Sequence, residues 1–371
     1  MRTGQVYLVG GAVRDEMLGL PASERDWVVV GATPEELESA GYRAVGREFP
    51  VFLHPETQEE YALARVERKT APGYRGFETR FSPEVTLEQD LQRRDLTINA
   101  MARAPDGTLI DPYGGVRDLG QRVLRHVSPA FVEDPVRVLR VARFAARFAA
   151  LGFKLAPETR ALMRQMVDSG EINALIAERV WRELQRALGE ANPEVFFDVL
   201  HDCGALAVLL PELDWNPTQR QALQRAARIS PDPGVRFAAL LADTTPAAVT
   251  ALCERLRVPN EFRELALLSA RLHRRIANAA TLDAAGILEL LETADAFRRP
   301  DRFELLLRAT QAQSGADDSV YSQLAVALVT ATGVTLPREQ LAPLKGIAIA
   351  AAYRAARIER LQQLQSERRR S

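Results

Sequence analysis

Leu8-Val-Gly-Gly-Ala-Val-Arg-Asp15, followed by Glu24-Arg-Asp26-Trp-Val-Val, is the stretch whose reading decides the fold. The apolar run from Val6 to Val9 reads as a short strand ending at Gly10-Gly11, and Ala12 to Leu18 as a short helix stopped by Gly19 and Pro21. Adjacent glycines after a strand let the backbone approach a phosphate closely, and a helix N-terminus with Arg14 adds positive potential. Trp27-Val-Val-Val30 is β-branched and strand-like. Glu24 and Asp26 stand two apart at its start, so alternation directs both carboxylates to one face, where they can bridge divalent cations. Mg²⁺ takes one or two protein carboxylates and completes its shell with phosphate and water. A pair of such ions activates an attacking hydroxyl and neutralises a leaving pyrophosphate. Either half alone also suits a turn glycine pair or a solvated charge pair. Their order and spacing together point to a site.

Further along, Glu60 to Arg65 is a weaker strand candidate, and Glu60 is the candidate for an additional metal carboxylate. Residues 68 to 86 carry Gly and Pro with no apolar period, which predicts a mobile loop. From Pro129 onward the period becomes helical, through Val136, Val138, Leu139, Ala142 and Phe144, then Val180, Trp181, Leu184 and Leu188. Prolines near 193, 211, 231 to 233 and 246 separate further helices. The end, Arg354 to Ser371, reads as a charged amphipathic helix, with Arg354, Arg357, Arg360 and Arg368 to Arg370 as candidates for RNA phosphate. The same pattern suits a solvated helix. An α+β class follows, with a small α/β head before an all-helical remainder.

Two more constellations carry chemistry. Arg93-Arg-Asp95-Leu-Thr97-Ile-Asn99 crowds basic and hydrogen-bonding groups into a short span suited to a triphosphate and ribose; alone it also suits a capped helix start. In Glu133-Asp134-Pro-Val-Arg137-Val-Leu-Arg140-Val-Ala-Arg143, Pro135 belongs in the first turn of a helix with Asp134 at or near its N-cap. Asp134, Arg137, Arg140 and Arg143 recur every three residues and share a face, the pattern also of a solvated charged stripe. Cytosine and adenine both present an amino donor beside a ring-nitrogen acceptor on the Watson–Crick edge. Uracil and guanine present the reverse order. An ionised Asp accepts only and an Arg donates only. Asp134 with Arg137 therefore fits C and A and rejects U and G, with Arg140 and Arg143 placed for phosphate.

The bulk numbers agree with a soluble globular protein. A chain of 371 residues exceeds one ordinary core, and 47% hydrophobic with 26% charged residues is a globular mix. No apolar run approaches a membrane span, and the N-terminus enters a strand without a signal-peptide pattern, so the cytoplasm is expected. Cys203 and Cys253 stand too far apart for a disulfide framework or cysteine zinc site. The net charge of −1 excludes nothing, because it hides distribution. Among the 48 basic residues only Lys69, Lys154 and Lys345 are lysine; that bias suits phosphate recognition and equally a GC-rich genome.

On these motifs the chain resembles the bacterial class II tRNA nucleotidyltransferases, the CCA-adding enzymes. The resemblance rests on Gly-Gly-Ala-Val-Arg-Asp, the acidic pair, Arg-Arg-Asp-Leu-Thr-Ile-Asn-Ala, Glu-Asp-x-x-Arg and Glu178-Arg-Val-Trp-Arg-Glu183, over about residues 5 to 260. It implies a polymerase-β-like head over residues 1–128, a helical neck bearing a nucleotide template over 129–195, and a helical body and tail over 196–371. It also implies template-independent addition of C, C and A from CTP and ATP to tRNA whose 3′ end is missing or incomplete, with no obligate protein partner. Carried over, Glu24 and Asp26 hold Mg²⁺; Gly11, Arg14 and Arg94 hold the triphosphate, with Asp95 beside them; Asp134 and Arg137 act as template; Arg140 and Arg143 assist. The loop at 68 to 86 matches the element family members use in switching to ATP.

Two departures stand out. The usual acidic pair is Asp-x-Asp, and the longer Glu24 moves one carboxylate by about a bond length, which implies an active enzyme slowed where geometry matters. Some relatives carry a metal-dependent phosphohydrolase domain; here Ala242-Asp243 replaces its His-Asp, and His201-Asp202 lies earlier without histidine partners, which implies a shortened domain lacking metal ligands. Three other readings stay open on sequence: a poly(A) polymerase, an A-adding or CC-adding specialist, and a non-catalytic RNA-binding relative.

Overall fold

The computed structural model describes residues 4–21, 25–45, 51–69, 77–315 and 318–368. They form two compact units, Met1–Leu209 and Leu210–Ser371. The sequence-based boundaries at 128 and 195 both fall inside the first unit.

The first unit begins with β1 (Gln5–Val9), α1 (Gly11–Met17), β2 (Asp26–Val30), α2 (Pro34–Ser39), β3 (Arg43–Ala44), β4 (Val51–Leu53) and β5 (Glu60–Leu63). After β6 (Arg65–Lys69), β7 (Phe77–Phe81), α3 (Leu87–Gln92), β8 (Ala102–Arg103) and β9 (Leu109–Ile110), one sheet is complete in the order β3-β4-β5-β2-β1-β8-β9. Alternation along β2 feeds two cores. Val28 joins Val9, Ala64, Leu87 and Leu91 on one face; Val29 joins Phe52, Tyr61 and Leu63 on the other.

The expected loop at 68 to 86 is corrected in part. β6 and β7 pair antiparallel from Arg65↔Phe81 to Lys69↔Phe77, and residues 70–76 lie outside the described residues. Pro72, Gly73 and Gly76 fall in sequence between the two strands. The second of them, Phe77-Glu-Thr79-Arg-Phe81, has the alternation and residue types that a strand requires.

The helices of this unit continue with α4 (Gly115–Gln121), α5 (Val136–Phe148), α6 (Pro157–Asp168), α7 (Ala177–Gly189), α8 (Glu194–Asp202) and α9 (Ala205–Leu209); the short β10 (Val123–Leu124) and β11 (Lys154–Leu155) pair in parallel. Helix α5 packs against α7 and α8 and is buried nearly all round, including Val138, Leu139, Val141, Ala142 and Phe148. His201 is exposed near the end of α8.

The second unit is helical: α10 (Pro217–Ile229), α11 (Pro233–Leu240), α12 (Pro246–Arg255), α13 (Asn260–Ala277), α14 (Ala284–Thr293), α15 (Pro300–Ser314), α16 (Asp318–Thr332), α17 (Arg338–Leu341) and α18 (Ile347–Arg368). Of the prolines read as breaks, Pro233 and Pro246 open α11 and α12, capped by Asp232 and Thr245; α10 opens with Pro217 behind the Asn216 cap. Asp243, in the turn after α11, accepts hydrogen bonds from His273 Nε2 at 3.1 Å and from the Gln313 amide, tying that turn to α13 and α15. Among the tail arginines, Arg354 bonds Glu292, Arg357 donates to the Ala331 carbonyl and lies over Phe297, and Arg360 pairs with Glu367. Among the described residues, no helix is long and apolar enough to cross a membrane.

Candidate active site

The register of the sheet builds the first half of the site. Val9, the last residue of β1, faces Asp26, the first of β2, and Asp26 faces Glu60, the first of the parallel neighbour β5. The Gly10-Gly11 turn therefore leaves the sheet beside Asp26, with the exposed Glu60 adjacent. Asp26 and Glu60 share the face of Val28, since strand neighbours alternate. Gly10 adopts φ +71° and ψ −127°, a backbone region favourable only to glycine, and a Cβ there would stand 2.8 Å from Arg94 Nη1. Glu24, the other half of the acidic pair, lies outside the described residues. Two oxygen-donor carboxylates at an exposed strand end beside a glycine turn fit a hard divalent cation that takes its remaining ligands from phosphate and water.

Behind this end runs a chain of buried polar contacts. Arg140 Nε donates to Asp95 Oδ2 at 2.6 Å, Asn99 Nδ2 donates to Asp95 Oδ1 at 2.9 Å, and Arg14 Nη1 donates to Asn99 Oδ1. Arg14 Nε then donates to Asp15 Oδ1 at 2.8 Å, and Arg147 Nη2 to Asp15 Oδ2 at 2.9 Å. Both ends of the chain, Arg140 and Arg147, belong to α5, so the contacts close a ring joining α1, the Thr97–Asn99 turn and α5. The Arg14 guanidinium also lies 5.2 Å from the Phe144 ring centre and 5.0 Å from that of Phe148. Burial lowers the Arg14 pKa against the opposing pull of Asp15. For Asp95, burial alone would raise the pKa, yet the Arg140 charge and hydrogen bonds from Asn99 and Arg140 hold it well below the ordinary carboxylate range. Asp90, buried beneath Arg93 and Arg94, is likewise held low by those two charges against its desolvation.

The second half of the site lies where α5 begins. Asp134 precedes the helix and accepts the Val136 N–H at 3.1 Å, as a capping residue does. Its two oxygens also accept Arg179 Nη1 at 3.0 Å and Nη2 at 2.8 Å. Arg137 is 6% exposed and donates to the Ala130 and Arg93 carbonyls. Arg143 pairs with Glu183 at 2.7 Å, as Arg140 does with Asp95. The structure thus gathers Asp134, Arg137, Arg140 and Arg143 along α5, and engages each with the protein itself.

Sequence reasoning named neither Asp15 nor Arg147 as part of the ring, and gave Arg179 no contact of its own. Arg147 extends the arginine face of α5, seven residues after Arg140, which was the available signal.

Two families match the chain: the poly A polymerase head domain over residues 6–125, and the probable RNA and SrmB-binding site of polymerase A over residues 152–216. A multifunctional CCA protein of Thioalkalivibrio sulfidiphilus is 53% identical, over 98% of this chain and 99% of that protein. Its alignment spans 405 residues, longer than the 371-residue chain, so the relative carries stretches that this chain lacks. A CCA-adding enzyme of Coxiella burnetii is 50% identical over 360 residues, covering 97% and 95% of the two chains. Among solved structures, a CCA-adding enzyme in an apo form superposes with TM-score 0.76 at 23% identity, covering 96% of this chain and 88% of that one. The Thermotoga maritima CCA-adding enzyme complexed with tRNA gives 0.73 at 22%, covering 97% and 87%. At such identities these two speak for the fold.

Proposed function

The chain belongs to the family of bacterial CCA-adding tRNA nucleotidyltransferases, and from that premise we propose that it adds C, C and A, from CTP and ATP, to tRNA with a missing or incomplete 3′ end. The terminal ribose hydroxyl forms a bond to the α-phosphorus, and the bond to the β-phosphate oxygen breaks, releasing pyrophosphate. The observation that carries this reading is the strand register that sets Asp26 beside both the Gly10-Gly11 turn and Glu60. Relatives of nearly full length and about half identity favour it over a poly(A) polymerase, whose name the head family shares.

The residues divide the work. Asp26, with Glu24 and Glu60, would hold divalent ions, Mg²⁺ in our reading. When bound, these would supply hydroxyl activation and charge neutralisation at the departing pyrophosphate. Gly10 and Gly11 let phosphate oxygens approach the backbone, and Arg94 beside Gly10 brings positive charge. Arg14, almost wholly buried, acts through its field and by fixing α1, not by direct contact. Asp134 accepts the amino group of cytosine or adenine while Arg137 donates to the ring nitrogen. Arg140, paired with Asp95, and Arg143, paired with Glu183, anchor the helix that follows Asp134 within the unit. Residues 1–128 serve as head, 129–195 as neck and 196–371 as body and tail, and the cytoplasm is the working compartment.

The test is incubation of tRNA lacking its 3′ end with divalent metal and each labelled nucleotide, singly and together. Limited addition of two C and one A is expected, and chelation should stop it. Long A tails on generic RNA would move the protein to the polymerase class; no incorporation would make it a binding protein. Within this scheme Gly10→Ala should lower kcat/KM for CTP by about tenfold or more, because a side chain in this glycine-only backbone region costs roughly 1–3 kcal/mol and its Cβ crowds Arg94. Unchanged kinetics would place the phosphates elsewhere.

A further inference from the structure

Arg179, in the first turn of α7, grips both oxygens of Asp134. Oδ1 accepts Arg179 Nη1 together with the Val136 N–H, and Oδ2 accepts Arg179 Nη2. A carboxylate offers roughly four lone-pair sites, so these contacts leave one, on Oδ2. The two side chains are 23% and 20% exposed, so the pair is not sealed from solvent. Arg137 is fixed separately, by the Ala130 and Arg93 carbonyls.

We propose that Arg179 is a specificity-determining positioning residue: it holds Asp134 as a fixed, acceptor-only group with one site open to an incoming amino donor. This rests on the reading of Asp134 and Arg137 as the base-recognising pair. A carboxylate without such a partner can turn about its side-chain bonds. Turned away, it no longer sets an acceptor against the amino group of cytosine or adenine, and the discrimination against the carbonyl of uracil or guanine is lost. Pinned by two parallel N–H···O bonds, the carboxylate keeps one plane and one polarity. Lysine, a point charge on a flexible stem, cannot grip both oxygens in this way.

The experiment compares kcat/KM for CTP and UTP on tRNA lacking its 3′ end, for wild type, Arg179→Gln, Arg179→Lys and Asp134→Ala. Loss of a positioned polar contact removes much of the discrimination such a site provides, so the CTP:UTP ratio should fall about 10- to 100-fold in Arg179→Gln. Arg179→Lys should fall between that variant and wild type. If Arg179 merely clamped α5 to α7, its loss would slow both nucleotides in proportion and leave the ratio unmoved. A ratio retained in both Arg179 variants but collapsed in Asp134→Ala overturns the role of Arg179 alone. A ratio retained in Asp134→Ala overturns the base-reading assignment and this inference with it.

Discussion

Asp26→Asn is expected to reduce incorporation of CTP and ATP alike by about 10³-fold, the upper end of what removing one preorganised electrostatic group does. The amide keeps the size of the carboxylate and its place at the start of β2, so the sheet pairing of Val9 with residue 26 survives. What disappears is a negative charge beside the glycine turn, where a divalent ion must meet a triphosphate. The loss should appear in kcat, with tRNA affinity nearly unchanged, because the residue lies at the reacting end and not among candidates for RNA contact. Glu24→Gln is the companion measurement, since it removes the other charge of the pair. Single-turnover incorporation checks both. If either variant retained wild-type rates, that residue would not be a metal ligand, and Glu60 would become the next to test.

The second large effect concerns stability. Asp95→Ala should destabilise the N-terminal unit by about 3 kcal/mol, the lower end of the cost of breaking a buried ion pair. The lower end applies because Arg140 is 35% exposed and can rehydrate when its partner is gone. Asp95 itself is buried and also accepts from the Leu96 N–H and the Asn99 amide. Taking a urea m-value near 3 kcal/mol per M, the midpoint should fall by about 1 M at pH 7. A midpoint within about 0.2 M of wild type would show the pair to be dispensable.

The pH dependence gives an independent check. The folded pKa of Asp95 lies below its unfolded value of about 3.9, so below that pH the unfolded chain binds a proton that the native state refuses. Stability from this group is therefore complete above pH 4 and is lost as the pH falls through the folded value. Wild type should lose it on acidification. Asp95→Asn has no such proton to bind, so the two stability curves should converge as the pH drops below 4. Parallel curves would mean that Asp95 does not titrate differently in the two states.

The sheet end was legible in the sequence because its signals are local. Strand, glycine pair, short helix, acidic pair and strand all fall between Val6 and Val30, each announced by its own residue types. Asp134 at a helix start was legible for the same reason. The partners were not. Arg147 reaches Asp15 across 132 positions and Arg179 reaches Asp134 across 45, and no periodicity encodes such distances. The strands β6 and β7 were hidden differently, by the glycines and proline that stand between them in the sequence. The division after Leu209 was obscured because contacts such as Arg140–Asp95 join the α/β and helical parts that a change of pattern would separate.

The closed path from Arg140 through Asp95, Asn99, Arg14 and Asp15 to Arg147 also has a consequence for inheritance. Opposite charges alternate along much of it, in surroundings mostly closed to water, so replacing one member strands its neighbours. A lineage cannot drift through such positions one at a time without passing through a poorly folded intermediate. Saturation mutagenesis of the N-terminal unit should therefore find these six sites nearly immutable singly, while paired replacements that remove both members of a contact survive more often. The pattern would mark the path as inherited whole, whatever nucleotide the surface around it comes to prefer.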